Sequence, residues 1–206
     1  LLAFEKELLG FYISGHPLTR YAKQLKKFNS SPIGNLAGLK DEEIVKIVGL
    51  ITKVKNTITR KKQEKMAILM IEDLDAVIEV LVFPATYSKF SRYVVTGSVV
   101  MLRGKLDKKE NTPKIIAEDI FPFDEVFKLV KAVRIDLCGA KENVFDTLKK
   151  RLSASSGQIP VYLLIDTPPK TRVQVIVGQE LFVTPSEQLV SDIENLVGED
   201  RVSFVL

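Results

Sequence analysis

The chain is poor in the side chains on which disulfide-rich, zinc-binding and many hydrolytic proteins depend. Cys138 is the single cysteine and His16 the single histidine among 206 residues. One thiol cannot close an intramolecular disulfide, which fits a reducing compartment, and a cytoplasmic location is expected. A structural zinc needs a set of closely spaced Cys and His ligands, so no metal is expected. A Ser-His-Asp or Cys-His device would have to use His16, and no nucleophile stands near it in sequence. Long apolar runs are lacking as well. The longest, Ala76 to Pro84, is interrupted by Glu79, and falls well short of the ~18 to 20 residues of a membrane span. No basic, apolar, small-residue series opens the chain, so no secretory signal is read. An initiator methionine is missing. The sequence starts Leu1-Leu2-Ala3-Phe4, already in a helical pattern, and is read as an excised piece of a longer protein. There is no internal repeat and no low-complexity tract.

What is present suffices for folded cores: 46% of residues are hydrophobic, enough for one large domain or two small ones. The net charge of +4 is unevenly spread. Leu1 to Glu43 carries +1, Ile44 to Ile116 carries +7, and Ala117 to Leu206 carries −4. A basic middle followed by an acidic end predicts different partners for the two parts.

Leu1, Phe4, Leu8 and Phe11 recur at helical spacing with Glu5, Lys6 and Glu7 between them, which predicts an amphipathic helix closed by Gly15 and Pro17. A polar connector, Asn29 to Lys40, is expected next. From Ile44 the period becomes that of strands. Ile44 to Thr59 is rich in Ile, Val and Thr, and Gly49 inside it reads as a bulge or bend. Arg60 to Glu64 is a charged hairpin loop. Met66 to Ile71 and Ala76 to Phe83 are further strands, separated by a turn at Glu72, Asp73 and Asp75. Pro84 opens a short helix, and Ser98 to Leu106 and Pro113 to Phe121 complete the set. Three strands, a short helix and two strands is the order of an OB-fold, a small five-stranded barrel.

The tail reads as β-α-β-β-α-β. Its strands are Val133 to Leu137, Pro160 to Asp166, Arg172 to Val177 and Val202 to Leu206, and the turn Thr167-Pro168-Pro169-Lys170 joins the middle pair. Val144, Leu148 and Leu152 mark its first helix. Leu189, Ile193, Leu196 and Val197 mark the second, with Thr184 expected as its cap and Glu187 as the partner in a capping box. The expected division is 1–43 as helical lead-in and connector, 44–126 as the OB-fold, and 127–206 as a small α+β domain. The fold class is therefore mixed β and α+β.

Eleven cations of the barrel are candidates for nucleic acid. Lys53 and Lys55 share one face of the first strand. Arg60, Lys61, Lys62 and Lys65 surround the loop between strands one and two. Arg103 and Lys105 share a face of strand four, and Lys108, Lys109 and Lys114 surround the loop between strands four and five. OB-folds bind oligonucleotides on the face of strands two and three, between those two loops, and cations along a phosphate track release counterions as they engage. Strong single-strand binders add stacking aromatics. The second strand offers Met66, Ile68, Leu69 and Met70 instead, while Phe83, Tyr87, Phe90 and Tyr93 are expected in core packing. Weak, charge-led binding follows. His16 reads as a polar turn residue, and Glu72, Asp73 and Asp75 as a turn rather than a cation site. In the tail, Phe204, Val205 and Leu206 form a last strand whose edge could pair with a partner protein.

Four stretches resemble one family. EKELLGFYISGHPL, Glu5 to Leu18, is similar to the segment that precedes the OB domain in the alpha subunit of bacterial DNA polymerase III. IVGLITKVKNTITRKKQEKMAILMIEDLDAVIEVLVFP, Ile47 to Pro84, resembles the OB domain itself. GQIPVYLLI, Gly157 to Ile165, and FVTPSEQLVSDIENLVG, Phe182 to Gly198, resemble the family's last domain. The resemblance implies a fragment without the metal-binding palm aspartates, with no cofactor and no nucleotide-incorporating activity of its own. It implies single-stranded template contact by the OB domain and contact with the clamp-loader tau subunit and other replisome proteins by the last. Two other readings compete. An appended OB-fold of a lysyl- or aspartyl-type tRNA synthetase needs synthetase motifs that the tail has no room for. A scaffold that only packs against its own polymerase body needs no DNA affinity.

Overall fold

A computed structural model describes residues 16–28, 30–110, 112–140, 143–167 and 171–206. The amphipathic helix expected over Leu1 to Phe11 and the Pro168-Pro169-Lys170 part of the expected turn lie outside those residues. The chain divides into two compact units, residues 1–25 with 30–126, and residues 26–29 with 127–206.

The first unit is a closed barrel. Its strands are β1 (Ile44–Ile58), β2 (Lys65–Glu72), β3 (Val77–Val82), β4 (Val99–Asp107) and β5 (Lys114–Pro122), in the spatial order β1-β2-β3-β5-β4 and back to β1. The β3–β5 pairing is parallel and the others are antiparallel. The helix α1 (Pro84–Phe90) bridges β3 to β4. This is the OB-fold order read from the sequence. Alternation along the strands sends Val45, Ile47 and Ile51 of β1, Leu69 and Ile71 of β2, and Val80 and Val82 of β3 inward, all at most 2% exposed. Leu102, Leu106, Ile115 and Ile120 meet them from β4 and β5.

Two features of the barrel differ from expectation. The bulge in β1 falls between Ile51 and Lys53, not at Gly49. Gly49 serves a close approach: a Cβ there would press on the Ile71 side chain and lie 2.9 Å from the Glu72 carbonyl oxygen. The 29–40 stretch is more than a polar connector. It carries a 3-10 turn, Ile33–Gly38, whose Ile33 and Leu36 join the barrel core. Asp73 holds it in place. Its carboxylate accepts from Ile33 N–H at 2.6 Å and from the Asp75 and Ala76 N–H groups at 2.9 and 2.8 Å. Those bonds make Glu72-Asp73-Asp75 an Asx-type turn, as the sequence suggests. His16 also has a local task. It precedes a 3-10 turn, Pro17–Tyr21, and its Nδ1 accepts from Leu18 N–H at 3.1 Å, while Nε2 lies 3.3 Å from Glu72 Oε1. Leu18, fully buried, and Tyr21 follow. The Tyr21 hydroxyl donates to Asp124, and burial together with that carboxylate pushes its pKa up to about 12.

A second bulge, between Arg103 and Gly104, brings β4 against β5 so tightly that a Cβ on Gly104 would press into the Ile116 carbonyl and lie 2.7 Å from Ile115 Cγ2. Backbone cannot yield as a side-chain end can. Gly104→Ala should therefore cost the barrel about 3 kcal/mol, the upper range for overpacking. Denaturant titration of the variant against the parent measures this, and coincident barrel transitions would contradict it.

The second unit has a four-stranded sheet in the order β10-β6-β8-β9, from β6 (Ala132–Asp136), β8 (Val161–Thr167), β9 (Thr171–Ile176) and β10 (Val202–Val205). The β6–β8 pair is parallel and is connected through α2 (Val144–Ala154), and α3 (Glu187–Val197) leads into β10. A short additional strand, β7 (Ser156–Ile159), bridges Val183 outside the main sheet. The α3 cap is Ser186, not Thr184. The Ser186 hydroxyl oxygen accepts from Leu189 N–H at 3.2 Å, whereas the Thr184 hydroxyl donates to the Ser156 carbonyl. With Ser186 as cap, Glu187 is the first helical residue and no capping box forms.

Candidate nucleic-acid interface

The β1–β2 hairpin is the most cationic edge of the barrel. Strand pairing runs to Ile58 opposite Lys65, and the loop beyond is closed by Thr59 N–H donating to the Glu64 carbonyl at 2.9 Å and by Gln63 N–H donating to the Thr59 carbonyl at 3.1 Å. Gln63 takes a left-handed φ of 54° to complete the turn. This tight loop leaves Arg60, Lys61 and Lys62 exposed at its tip and Lys65 exposed at the start of β2. A cleft of about 1150 Å³ lies between the loop and the start of α1, and all four cations line it, with Glu64 the one carboxylate among its described lining residues.

The remaining seven candidates fall into two groups. Lys53 and Lys55 are exposed on the outer wall of β1, opposite Met70 and Ile68. The cross-strand row continues from Lys55 through Ile68, Leu81 and Ile116 to Lys105, so lysines flank a band of half-buried aliphatic side chains around the outside of the barrel. Lys109 stands exposed in the β4–β5 turn. None of Lys53, Lys55, Arg60, Lys61, Lys62, Lys65, Lys105 or Lys109 makes a side-chain ion pair among the described residues.

Three of the eleven are engaged within the protein. Arg103 pairs with Asp119 at 2.8 Å and with Glu118 at 3.4 Å. Lys114 lies 2.7 Å from Glu110 and 3.2 Å from Glu79, and hydrogen bonds to these carboxylates raise its pKa. The Lys108 ammonium donates to the carbonyls of Ala37 and Leu39 at 2.7 and 2.9 Å, fastening the 3-10 turn to the barrel. Uncommitted cations therefore gather at the β1–β2 end, whereas at the β4–β5 end Arg103 and Lys114 are paired with carboxylates and Lys108 is tied to backbone carbonyls.

The aromatic residues also divide. Tyr87, Phe90 and Tyr93 pack against the barrel core as expected, and the Tyr87 hydroxyl donates to Asn56 Oδ1 at 3.2 Å. Phe83 departs from that expectation: it is 40% exposed and lines the cationic cleft. Phe83 follows the inward-facing Val82 directly, just beyond the end of β3, so strand alternation carried one residue further points it outward; this was the signal in the sequence that could have found it.

In the second unit, Phe204 is buried at 3% exposure, with its ring stacked on Phe28 at 4.9 Å between centroids. Its ring belongs to the core and cannot be a surface contact. Val205 on β10, an edge of the sheet, and Leu206 just after it stay half-exposed. The opposite edge, β9, presents Val175 and Ile176 at 44% and 52% exposure. Cys138 is buried, and that burial, reinforced by Asp136 and Asp166, pushes its thiol up to about 11, away from reactive thiolate. Among the described residues no helix is long and apolar enough to cross a membrane.

Residues 45–123 match the tRNA anti-codon family model, an OB-fold nucleic acid binding domain. The whole chain aligns with DNA polymerase III subunit alpha of Saccharopolyspora erythraea at 30% identity over 221 residues, covering 18% of that relative. Eighty per cent of it aligns with the same subunit of Borreliella burgdorferi at 31% identity, covering 15% of that relative. Among solved structures, the hypothetical protein ygiW from E. coli superposes with a TM-score of 0.36 at 19% identity, over 46% of this chain and 89% of that one. With matches to this subunit running the full length of both units, the chain belongs to the bacterial DNA polymerase III alpha-subunit family and spans less than a fifth of its curated relatives' length.

Proposed function

We propose that this chain is a DNA-contacting, non-catalytic segment of a replicative DNA polymerase, whose barrel holds single-stranded template through the β1–β2 end. The observation that carries this reading is the cleft lined by Arg60, Lys61, Lys62 and Lys65 against one carboxylate, on a barrel that matches an OB-fold nucleic-acid-binding model. Among the described residues these cations make no side-chain ion pair, so neutralising phosphates costs no such pair. Lys53 and Lys55 extend the basic surface along β1, and Lys109 and Lys105 supply weaker outlying charge. Polymerisation itself is assigned to parts of the relatives that this chain does not span. Two-metal phosphoryl transfer needs carboxylates free to hold cations, and the Asp73 carboxylate is committed to backbone amides.

The second unit takes a protein partner in this reading, with the clamp-loader tau subunit the first candidate. A partner strand would add to a sheet edge. The exposed Val175 and Ile176 favour β9 for this role, with β10 and the Val205-Leu206 end that follows its core residues as the alternative edge.

Fluorescence anisotropy with labelled single-stranded and duplex oligonucleotides at low salt tests the barrel's role. Single strands should bind at least about fivefold more tightly, since a cleft with an apolar rim gains from unpaired bases. Equal affinity for the two forms, or no binding to either, would overturn the proposal. Primer extension by the same preparation should stay at background.

A further inference from the structure

We infer that Phe83 is a base-stacking platform: one unpaired base of a single strand lies on its ring while the flanking phosphates engage the β1–β2 loop. This rests on the nucleic-acid reading of the barrel and adds to it the residue that reads the base rather than the backbone. Phe83 is 40% exposed at the rim of the cleft that Arg60, Lys61, Lys62 and Lys65 line. Among the described residues no other ring packs on it, although Phe90 a few residues on meets Phe121 edge-on at 5.4 Å. A single exposed aromatic is ordinary on a protein surface. An exposed aromatic sharing a cleft with four cations and one carboxylate is not, because every nucleotide offers both a π-face and an anion.

The local backbone presents this ring rigidly. Pro84 restricts Phe83 to the extended region, and its φ and ψ are −67° and 163°. The Phe83 carbonyl accepts from Tyr87 N–H at 2.8 Å, and Tyr87 is tied to β1 through Asn56. A ring on so fixed a backbone loses little conformational entropy when a base covers it. The occupant is a single strand because duplex bases are stacked on one another and cannot reach the ring. An acidic peptide would satisfy the cations but would leave the ring unused.

The chain contains no tryptophan, so Phe83→Trp introduces one indole as a reporter of stacking. Titration with oligothymidylate should quench that emission, saturating at the concentration where anisotropy saturates. Phe83→Ala should weaken oligothymidylate binding about five- to a hundredfold, the range for one stacked base, without changing the salt slope. A strand of abasic sugar-phosphate units should bind the parent and Phe83→Ala equally. Three results would each overturn the inference: unquenched indole at saturating strand, equal affinity of Phe83→Ala and parent for oligothymidylate, or the same loss on the abasic strand. In those cases parental binding persists and the charge-based reading stands. Failure of the parent itself to bind any single strand would instead remove the nucleic-acid reading on which the inference rests.

Discussion

Phe28→Ala should destabilise the second unit by about 3 to 5 kcal/mol, the cost of removing a fully buried aromatic. Phe28 is completely buried. Its ring stacks on Phe204 at 4.9 Å and meets Phe127 edge-on at 5.6 Å, and Phe127 meets Phe204 edge-on at 5.5 Å. These three rings come from places far apart in the chain, and Phe28 precedes the barrel in sequence while belonging to the second unit. Its neighbour Lys27, only 5% exposed, is bonded to Glu194 of α3. The 26–29 stretch is thus a structural element of the last unit, supplying one ring and one buried cation. A loss of this size is a large part of the ~5 to 15 kcal/mol that stabilises a whole domain. A fragment of residues 127–206, which lacks Phe28, should show the same weakness. Denaturant titration followed by far-ultraviolet circular dichroism distinguishes the outcomes. Coincident transitions for parent and Phe28→Ala would show that the ring cluster contributes nothing.

The contrast between barrel and tail shows which information the sequence carries. The barrel strands were legible because short runs rich in Val, Ile and Leu are bounded by turn residues, with Pro84 and the Arg60–Glu64 loop punctuating them. The β-α-β-β-α-β order of the tail was legible from its own apolar runs and helical periods, except for the short β7, which the reading did not include. Ile33 and Leu36 were not, because two apolar residues among Gly, Asn and Pro make no period. Their burial depends on Asp73, 40 residues away. Phe28 was missed likewise, since its partners are Phe127 and Phe204. The Ser186 cap was displaced by two residues from expectation because Thr184 found a tertiary acceptor in the Ser156 carbonyl. Composition located the cations of the candidate site, but their availability rested on tertiary pairing. Lys108 and Lys114 look no different from Lys61 and Lys62 in sequence, yet the first two are committed internally.

That difference governs the second large effect. Reversing Arg60, Lys61 and Lys62 together to glutamate should reduce single-strand affinity at low salt by about a hundredfold or more, since each lost phosphate contact forfeits roughly 0.7 of a unit of salt slope. These side chains are exposed and make no side-chain ion pair among the described residues, so the fold should survive the change. Reversing Arg103, Lys108 and Lys114 should cost less affinity and more stability, because it breaks the pairs with Asp119, Glu110 and Glu79 and the bonds to Ala37 and Leu39. The ratio of the two affinity losses, read on the same labelled strand, reports which end of the barrel holds phosphate. A larger loss from the second set, with the barrel still folded, would place the site at the β4–β5 turn.

The most direct measurement is the salt dependence of single-strand binding by the parent chain and by the Arg60, Lys61 and Lys62 reversal. With about four phosphates neutralised at the β1–β2 end, the parent's log K should fall against log salt with a slope near −3, and the reversal should flatten that slope to about −1. Equal slopes and equal affinities for the two proteins would contradict the assignment of DNA contact to this end of the barrel.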